Sequence, residues 1–137
     1  MKAGELMRRR FETAHAETRL ELAARVISPE SGPLVVCEHG RLIGVLGPRE
    51  LEATMAAPGP HTRRLRLRDI VPPDILYCFE TTDVTEAAAL MREHRVEWIP
   101  VLAADRRPAG LLALADVPDG AGPDREAAHA ERAAGSR

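Results

Sequence analysis

The second half of the chain alternates short apolar blocks with polar punctuation, and the blocks change period in a fixed order. Residues 75–79 (Ile-Leu-Tyr-Cys-Phe) follow Pro72-Pro73-Asp74 and predict a short buried strand. Thr82 stands before an acidic first turn, Asp83-Val84-Thr85-Glu86, and is the expected N-cap of a helix. Val84, Ala87, Ala88 and Met91 then recur at helical spacing and give that helix one apolar face, with Leu90 beside it. His94 and Arg95 suit its C-terminus, where the helix dipole favours positive charge. Residues 98–102 predict a second strand, 104–108 a hairpin turn and 110–114 a third strand.

The first half follows the same order. A weak strand is expected near residues 11–14, and a helix over about 19–27 capped by Thr18 and broken by the Pro/Gly/Ser stretch 28–33. Residues 34–37 and 42–46 read as a hairpin around Glu38-His39-Gly40. Residues 48–55 read as a short helix with Pro48 in its first turn. After a linker at 56–60, residues 62–68 are expected to be extended.

These two passages are one pattern written twice. Leu6-Met7 through Ala24 aligns with Ile70-Val71 through Ala88 at a shift of 64 (70 − 6, 88 − 24), and Gly44 answers Gly110 at a shift of 66. Two units of about 60 residues each would be marginal alone, so they are expected to share a core in a pseudo-twofold arrangement with function in a cleft between the halves. The expected boundaries are 1–61 and 62–118. The tail, 119–137, has no large apolar residue and is expected to be disordered, at least over its last six positions.

Composition narrows the classes. The 137 residues carry a net charge of −2 and are 45% hydrophobic, with no apolar run near the ~18 residues a membrane span requires. No apolar segment follows the charged N-terminus, so a secretory signal is not expected and a cytoplasmic location is. Cys37 and Cys78 form no CxxC pair and read as reduced, buried strand residues. The five histidines are scattered, and no HxxxH, G-x-S-x-G, GxGxxG or Walker pattern occurs, so neither a metal site nor a catalytic constellation is expected.

The ordered motifs resemble those of the cystathionine β-synthase (CBS) domain, whose tandem pairs are called Bateman modules. Arg68-Asp69-Ile70-Val71 resembles the family's opening motif, and residues 82–96 its first helix. Ile99-Pro100-Val101 resembles its strand-borne apolar-Pro-Val, and residues 110–116 its closing Gly-apolar-apolar-(Thr/Ser)-x-x-Asp. The resemblance covers about residues 4–117 and is best in the second half. It implies an α/β fold: a pseudo-twofold CBS-domain pair of two β-α-β-β-α repeats, with small sheets flanked by helices. It also implies adenine held between strand residues, a closing Asp accepting from ribose hydroxyls, and a Thr or Ser hydroxyl on phosphate.

Carried over by position, the ribose acceptors are Asp116 and Glu50, and the phosphate positions are Ala113 and Gly47. Phe79, Thr82, Ile99 and Pro100 complete the tentative nucleotide site. Ala113 and Gly47 lack the hydroxyl, a loss of about 1.5–3 kcal/mol at each site. Glu50 is one methylene longer than Asp, Pro48 removes an N–H, and Val35 stands where the family often has Pro. The second-half site, with Asp116, is therefore the better candidate.

Two other features have competing readings. Residues 63–68 (Arg-Arg-Leu-Arg-Leu-Arg) read first as an edge strand with one buried face. Phosphate attraction at the cleft mouth and nucleic-acid contact are the alternatives, the latter weakened by the negative net charge. Arg8-Arg9-Arg10 is read in the same way. Trp98 packs in the core or a dimer, or stacks on a base, or anchors a partner.

The expected function is a stand-alone regulatory, non-enzymatic CBS pair sensing an adenosine-type nucleotide (AMP, ADP, ATP or S-adenosylmethionine) as a regulatory ligand. No cofactor is otherwise expected. The competing reading is an apo interaction or structural dimer with degenerate clefts. The resemblance implies a homodimer through helix faces, for which Val84/Ala87/Ala88/Met91 is the small-residue candidate. A regulated protein partner would be unidentified, and membrane or nucleic-acid partners are not expected.

Overall fold

The computed structural model describes residues 1–27, 32–56, 59, 62, 64–72 and 74–118. The expectations for the 28–31 breaker, for Arg63 and for the 119–137 tail lie outside them.

Two three-stranded sheets carry the fold. The first has the order β1 (Glu12–His15), β2 (Leu34–Glu38), β3 (Arg41–Leu46). β1 runs parallel to β2 (Ala14 opposite Val36), and β2 pairs antiparallel with β3, with an irregularity between Val36 and Cys37. The second has the order β4 (Cys78–Phe79), β5 (Trp98–Leu102), β6 (Pro108–Ala113), with β4 parallel to β5. The parallel pairs require helical crossovers, and these are α2 (Leu20–Val26) and α5 (Val84–Glu93). α3 (Pro48–Met55) follows the first sheet, and a 3-10 turn, Leu114–Asp116, follows the second. Two four-residue helices, α1 (Ala3–Leu6) and α4 (Leu67–Ile70), precede the two repeats.

The α/β class and the two small sheets are as the sequence indicates, while α1 and α4 are additional, the second repeat ends among the described residues in a 3-10 turn where the repeat pattern expects a helix, and several edges move. The strand expected at 75–79 contracts to Cys78–Phe79, and the one expected at 110–114 runs over 108–113. Thr82 is not the cap of α5. Asp83 is, its carboxylate accepting from the Thr85 N–H at 3.0 Å, while the Thr82 hydroxyl accepts from the Phe79 N–H at 3.0 Å. Likewise Arg19, not Thr18, occupies the cap position of α2, with no side-chain cap bond. The β2–β3 turn holds His39 at φ 56° and Gly40 at φ 78°, the doubly left-handed geometry of a tight hairpin.

The edge-strand reading of 63–68 fails. Leu67–Ile70 is a helical turn, and Arg66 makes only an isolated bridge to Arg19. The reason is local as well as tertiary: the Arg66 N–H donates to the Asp69 carboxylate at 2.8 Å, a capping interaction that starts a helix where the alternation suggested a strand. Leu67 is fully buried with Leu20, Leu34, Val36, Leu46 and Leu51 in one core cluster.

The chain packs as two compact units that do not follow chain order. One unit joins Met1–Arg9 to Tyr77–Asp105 and the chain from Ala109; the other joins Arg10–Leu76 to Arg106–Pro108. The segment in front of each repeat therefore docks on the body of the other repeat, and the same hydrogen bonds do it twice. Ala3 N–H donates to Thr82 C=O at 2.7 Å, as Leu67 N–H does to Thr18 C=O at 2.9 Å. Gly4 N–H donates to Glu80 C=O (3.0 Å), as Arg68 N–H does to Ala16 C=O (2.9 Å). Val84 N–H donates to Met1 C=O, as Leu20 N–H does to Leu65 C=O. Every pair is related by the shift of 64 read from the sequence (67 − 3, 82 − 18).

Close docking depends on two glycines. A Cβ on Gly110 would lie 2.6 Å from Met7 Sδ and 2.8 Å from the Arg8 carbonyl oxygen, and one on Gly44 would lie 3.1 Å from Val71 Cβ. Gly in these strands marks the approach of a second backbone.

Candidate functional site

In the unit holding the second sheet, three elements bring charged and aromatic groups together. The N-terminal segment leaves α1 and bridges to β6: Arg8 N–H donates to Leu111 C=O at 2.7 Å, and Leu111 N–H donates to Arg8 C=O at 2.9 Å. These two hydrogen bonds fix the backbone from which the Arg8 side chain extends. β6 ends at Ala113, and the 3-10 turn that follows places Asp116. Arg8 Nε and Nη2 donate to Asp116 Oδ2 and Oδ1 at 2.7 and 3.1 Å, a two-pronged pair. The same guanidinium sits over Trp98, at the start of β5, 5.1 Å from the ring centroid.

The electrostatics follow from that contact. Hydrogen bonding from Arg8 holds the Asp116 carboxyl below its ordinary range, outweighing burial, which acts the other way. Asp116 stays 30% exposed and Arg8 51%. An exposed ion pair contributes up to about 1 kcal/mol and an exposed cation–π contact about 0.5–1. The assembly is ordered but cheap to open.

The other residues predicted from sequence have distinct environments. Ile99 (0% exposed), Pro100 and Ala113 (3%) are buried in the folded chain. Phe79 is half-buried with its ring edge-on to Tyr77, centroids 5.6 Å apart. Thr82 is engaged in the turn before α5. In the other unit, Gly47 is the N-cap residue of α3 and its N–H donates to Glu50 Oε1 at 2.6 Å, so the Glu50 carboxylate caps its own helix. The structure brings Glu50 and Gly47 together there, and Asp116 together with Arg8 and Trp98. Arg8 is the residue that sequence reasoning treated only as part of a basic run. The signal for it was available: at the shift of 64 its counterpart is Pro72, which has neither a charge nor an N–H.

Other charged groups hold the fold together. Arg68 bonds both Glu17 and Glu38, and Arg66 Nη1 donates to the Glu17 carbonyl at 2.7 Å. The arginines of the 63–68 run that carry these bonds thus face carboxylates and a carbonyl. His39 lies in its turn, and the His94 ring donates from Nδ1 to Leu90 C=O at 3.0 Å at the end of α5. Both cysteines are free thiols. Burial, with Glu86 nearby, pushes Cys78 up to about 12, and burial raises the half-buried Cys37, so both stay protonated at neutral pH. Among the described residues no three metal-ligating side chains converge, and no helix is long and apolar enough to cross a membrane.

The face assigned to dimer contact is already used inside the chain: Val84, Ala87, Ala88 and Met91 are 3%, 0%, 1% and 0% exposed. Their spacing marks a core face, because small residues let α5 approach its neighbours within the fold as readily as they would a second copy.

Residues 67–117 match the family model of the CBS domain. That segment of the chain is a CBS domain. The match falls on the half containing Trp98 and Asp116; the first half repeats its sheet order and its docking hydrogen bonds. The magnesium transporter MgtE of Thermus thermophilus is 36% identical over 85 residues, which are 62% of this chain and 17% of the transporter. This chain is thus similar to a minor part of that relative. Among solved structures, the cytosolic domain of the Mg2+ channel MgtE in complex with ATP is 26% identical with a TM-score of 0.70, over 84% of this chain and 46% of that one. CBSX2 in complex with AMP has a TM-score of 0.73 over 90% and 98% of the two chains; at 22% identity it shows the shared fold.

Proposed function

We propose that this CBS pair is a regulatory module that binds an adenosine-type nucleotide at the unit containing Asp116. The observation that carries the reading is the Asp116 carboxylate. It lies at the family's closing position within the matched residues, ionised at neutral pH, partly exposed, and held by a side chain rather than by the backbone. Such a carboxylate can accept hydrogen bonds from a vicinal diol once its partner moves. The AMP and ATP complexes of the structural neighbours support the same ligand class. Glu50 is less suited, because its carboxylate is turned back on its own helix start, with Oε1 held by the Gly47 N–H.

A second reading is favoured by Ala113 and Gly47, which bring no hydroxyl to phosphate: an apo interaction module whose sites have degenerated. Calorimetric titration with AMP, ADP, ATP and S-adenosylmethionine separates the two. Saturable binding that Asp116→Asn weakens about tenfold or more supports the first, in line with loss of hydrogen bonds to a charged acceptor. No heat at millimolar ligand leaves the second. We propose a homodimer as the working assembly, built on surfaces other than the buried α5 face, and a strict monomer in light scattering would reject it.

A further inference from the structure

We propose that Arg8 is a displaceable latch on Asp116, which makes the site selective for a phosphorylated, diol-bearing nucleotide over neutral or cationic adenosine compounds; this rests on the nucleotide reading above. Arg8 spans both Asp116 oxygens, so a ribose diol that takes the same two-pronged face of the carboxylate has to displace Arg8. The evicted guanidinium then needs another anion. A phosphate on the same ligand supplies one, in the two-pronged geometry that arginine prefers. Adenosine supplies none, and in S-adenosylmethionine the sulfonium and ammonium oppose the pull of its single carboxylate.

The backbone makes this an exchange rather than a loss. Arg8 is bonded through both its N–H and its C=O to Leu111, so the side chain swings from a fixed root and stays within reach of the ligand. A cation on that root also takes the role left vacant at Ala113, which has no hydroxyl to offer phosphate. The other unit has no such device, since Pro72 stands in the place of Arg8 and Glu50 caps its own helix. Selection is therefore built into one half only.

The test uses the full chain, wild type and Arg8→Met, with circular dichroism to confirm folding. AMP, adenosine and S-adenosylmethionine are titrated by calorimetry, and Trp98, the single tryptophan, reports movement of the guanidinium from its face. Wild type is expected to bind AMP at least about tenfold more tightly than adenosine. Arg8→Met should erase that preference while holding adenosine no more weakly than wild type does, and its ligand-free Trp98 emission should differ from that of wild type. Arg8→Lys, which keeps the charge but not the two-pronged geometry, should retain part of the preference and serves if Arg8→Met does not fold. Binding by both proteins with an unchanged AMP-to-adenosine ratio overturns the latch and leaves the nucleotide reading standing. Absence of binding to either protein at millimolar ligand overturns both.

Discussion

The two units are built on the same bonds and differ most at two equivalent positions. Where one has Arg8 and Asp116, joined across 108 residues of sequence, the other has Pro72 and Glu50, which serve the backbone. The docking segments differ as well. Leu67 is wholly buried in its unit's core, and its counterpart at the shift of 64 is Ala3, equally buried but with little side chain to contribute. One half therefore has the larger apolar anchor and a self-satisfied acid. The other has a slim anchor and an acid paired with a side chain from the docking segment. Duplication fixed the frame, and side-chain chemistry at a handful of positions made the halves unequal.

The comparison can be broken most directly at the anchors. Leu67→Ala removes a fully buried side chain and should cost about 3 kcal/mol in chemical denaturation. A loss below about 1 kcal/mol would mean that the α4 segment is not part of its unit's core. The glycines come next. Gly110→Ala forces a Cβ against backbone and should cost roughly 2–3 kcal/mol, while Gly44→Ala meets only a valine side chain and should cost about 1. Equal losses would erase this difference between the halves.

The helix caps give a smaller contrast. Asp83→Ala should cost about 1 kcal/mol, whereas Arg19→Ala at the equivalent position removes no cap bond and should leave helix capping unchanged. Acid titration sharpens this further. Burial alone would raise the Asp83 carboxyl, but bonds from the Thr85 N–H and hydroxyl, with the N-terminal amine and Lys2, bring it below the ordinary value; Arg8 does the same for Asp116. A carboxyl lowered by folding contributes its full stability above the unfolded value near 3.9, and loses it as pH falls through the lowered one. Both contributions belong to the unit with the second sheet, so that unit should loosen first below about pH 4, with a change in Trp98 emission as Arg8 is released. Smallest of all, Arg8→Met should change stability by less than about 1 kcal/mol, since the pair is exposed, while still altering the emission.

Much of the frame was legible because periodicity and punctuation are local. The α5 face, the β5 and β6 strands, the tight turn at His39-Gly40 and the repeat itself follow from spacing alone. Errors gathered where two local signals compete. Thr82 and Asp83 both suit a cap, and only the turn that engages the Thr82 hydroxyl with Phe79 decides for Asp83. The alternation of residues 63–68 suggested a strand, yet Leu67 is anchored as the head of a helical turn. The apolar face of α5 was recognisable as a face, but its burial within the chain depends on what packs there.

The amino-acid order by itself determined the α/β class and the duplication, since each is a matter of residue type at a spacing; the places of the closing acids, and of Ala113 and Gly47 without a hydroxyl, follow from the resemblance to the CBS family. Only the tertiary structure decided that the segment before each repeat belongs to the other repeat's body, because that exchange is written in hydrogen bonds between residues as far apart as Arg8 and Leu111, 103 positions (111 − 8). By the same exchange Arg8 is delivered to Asp116, and two charges with no local relation in sequence become one ion pair.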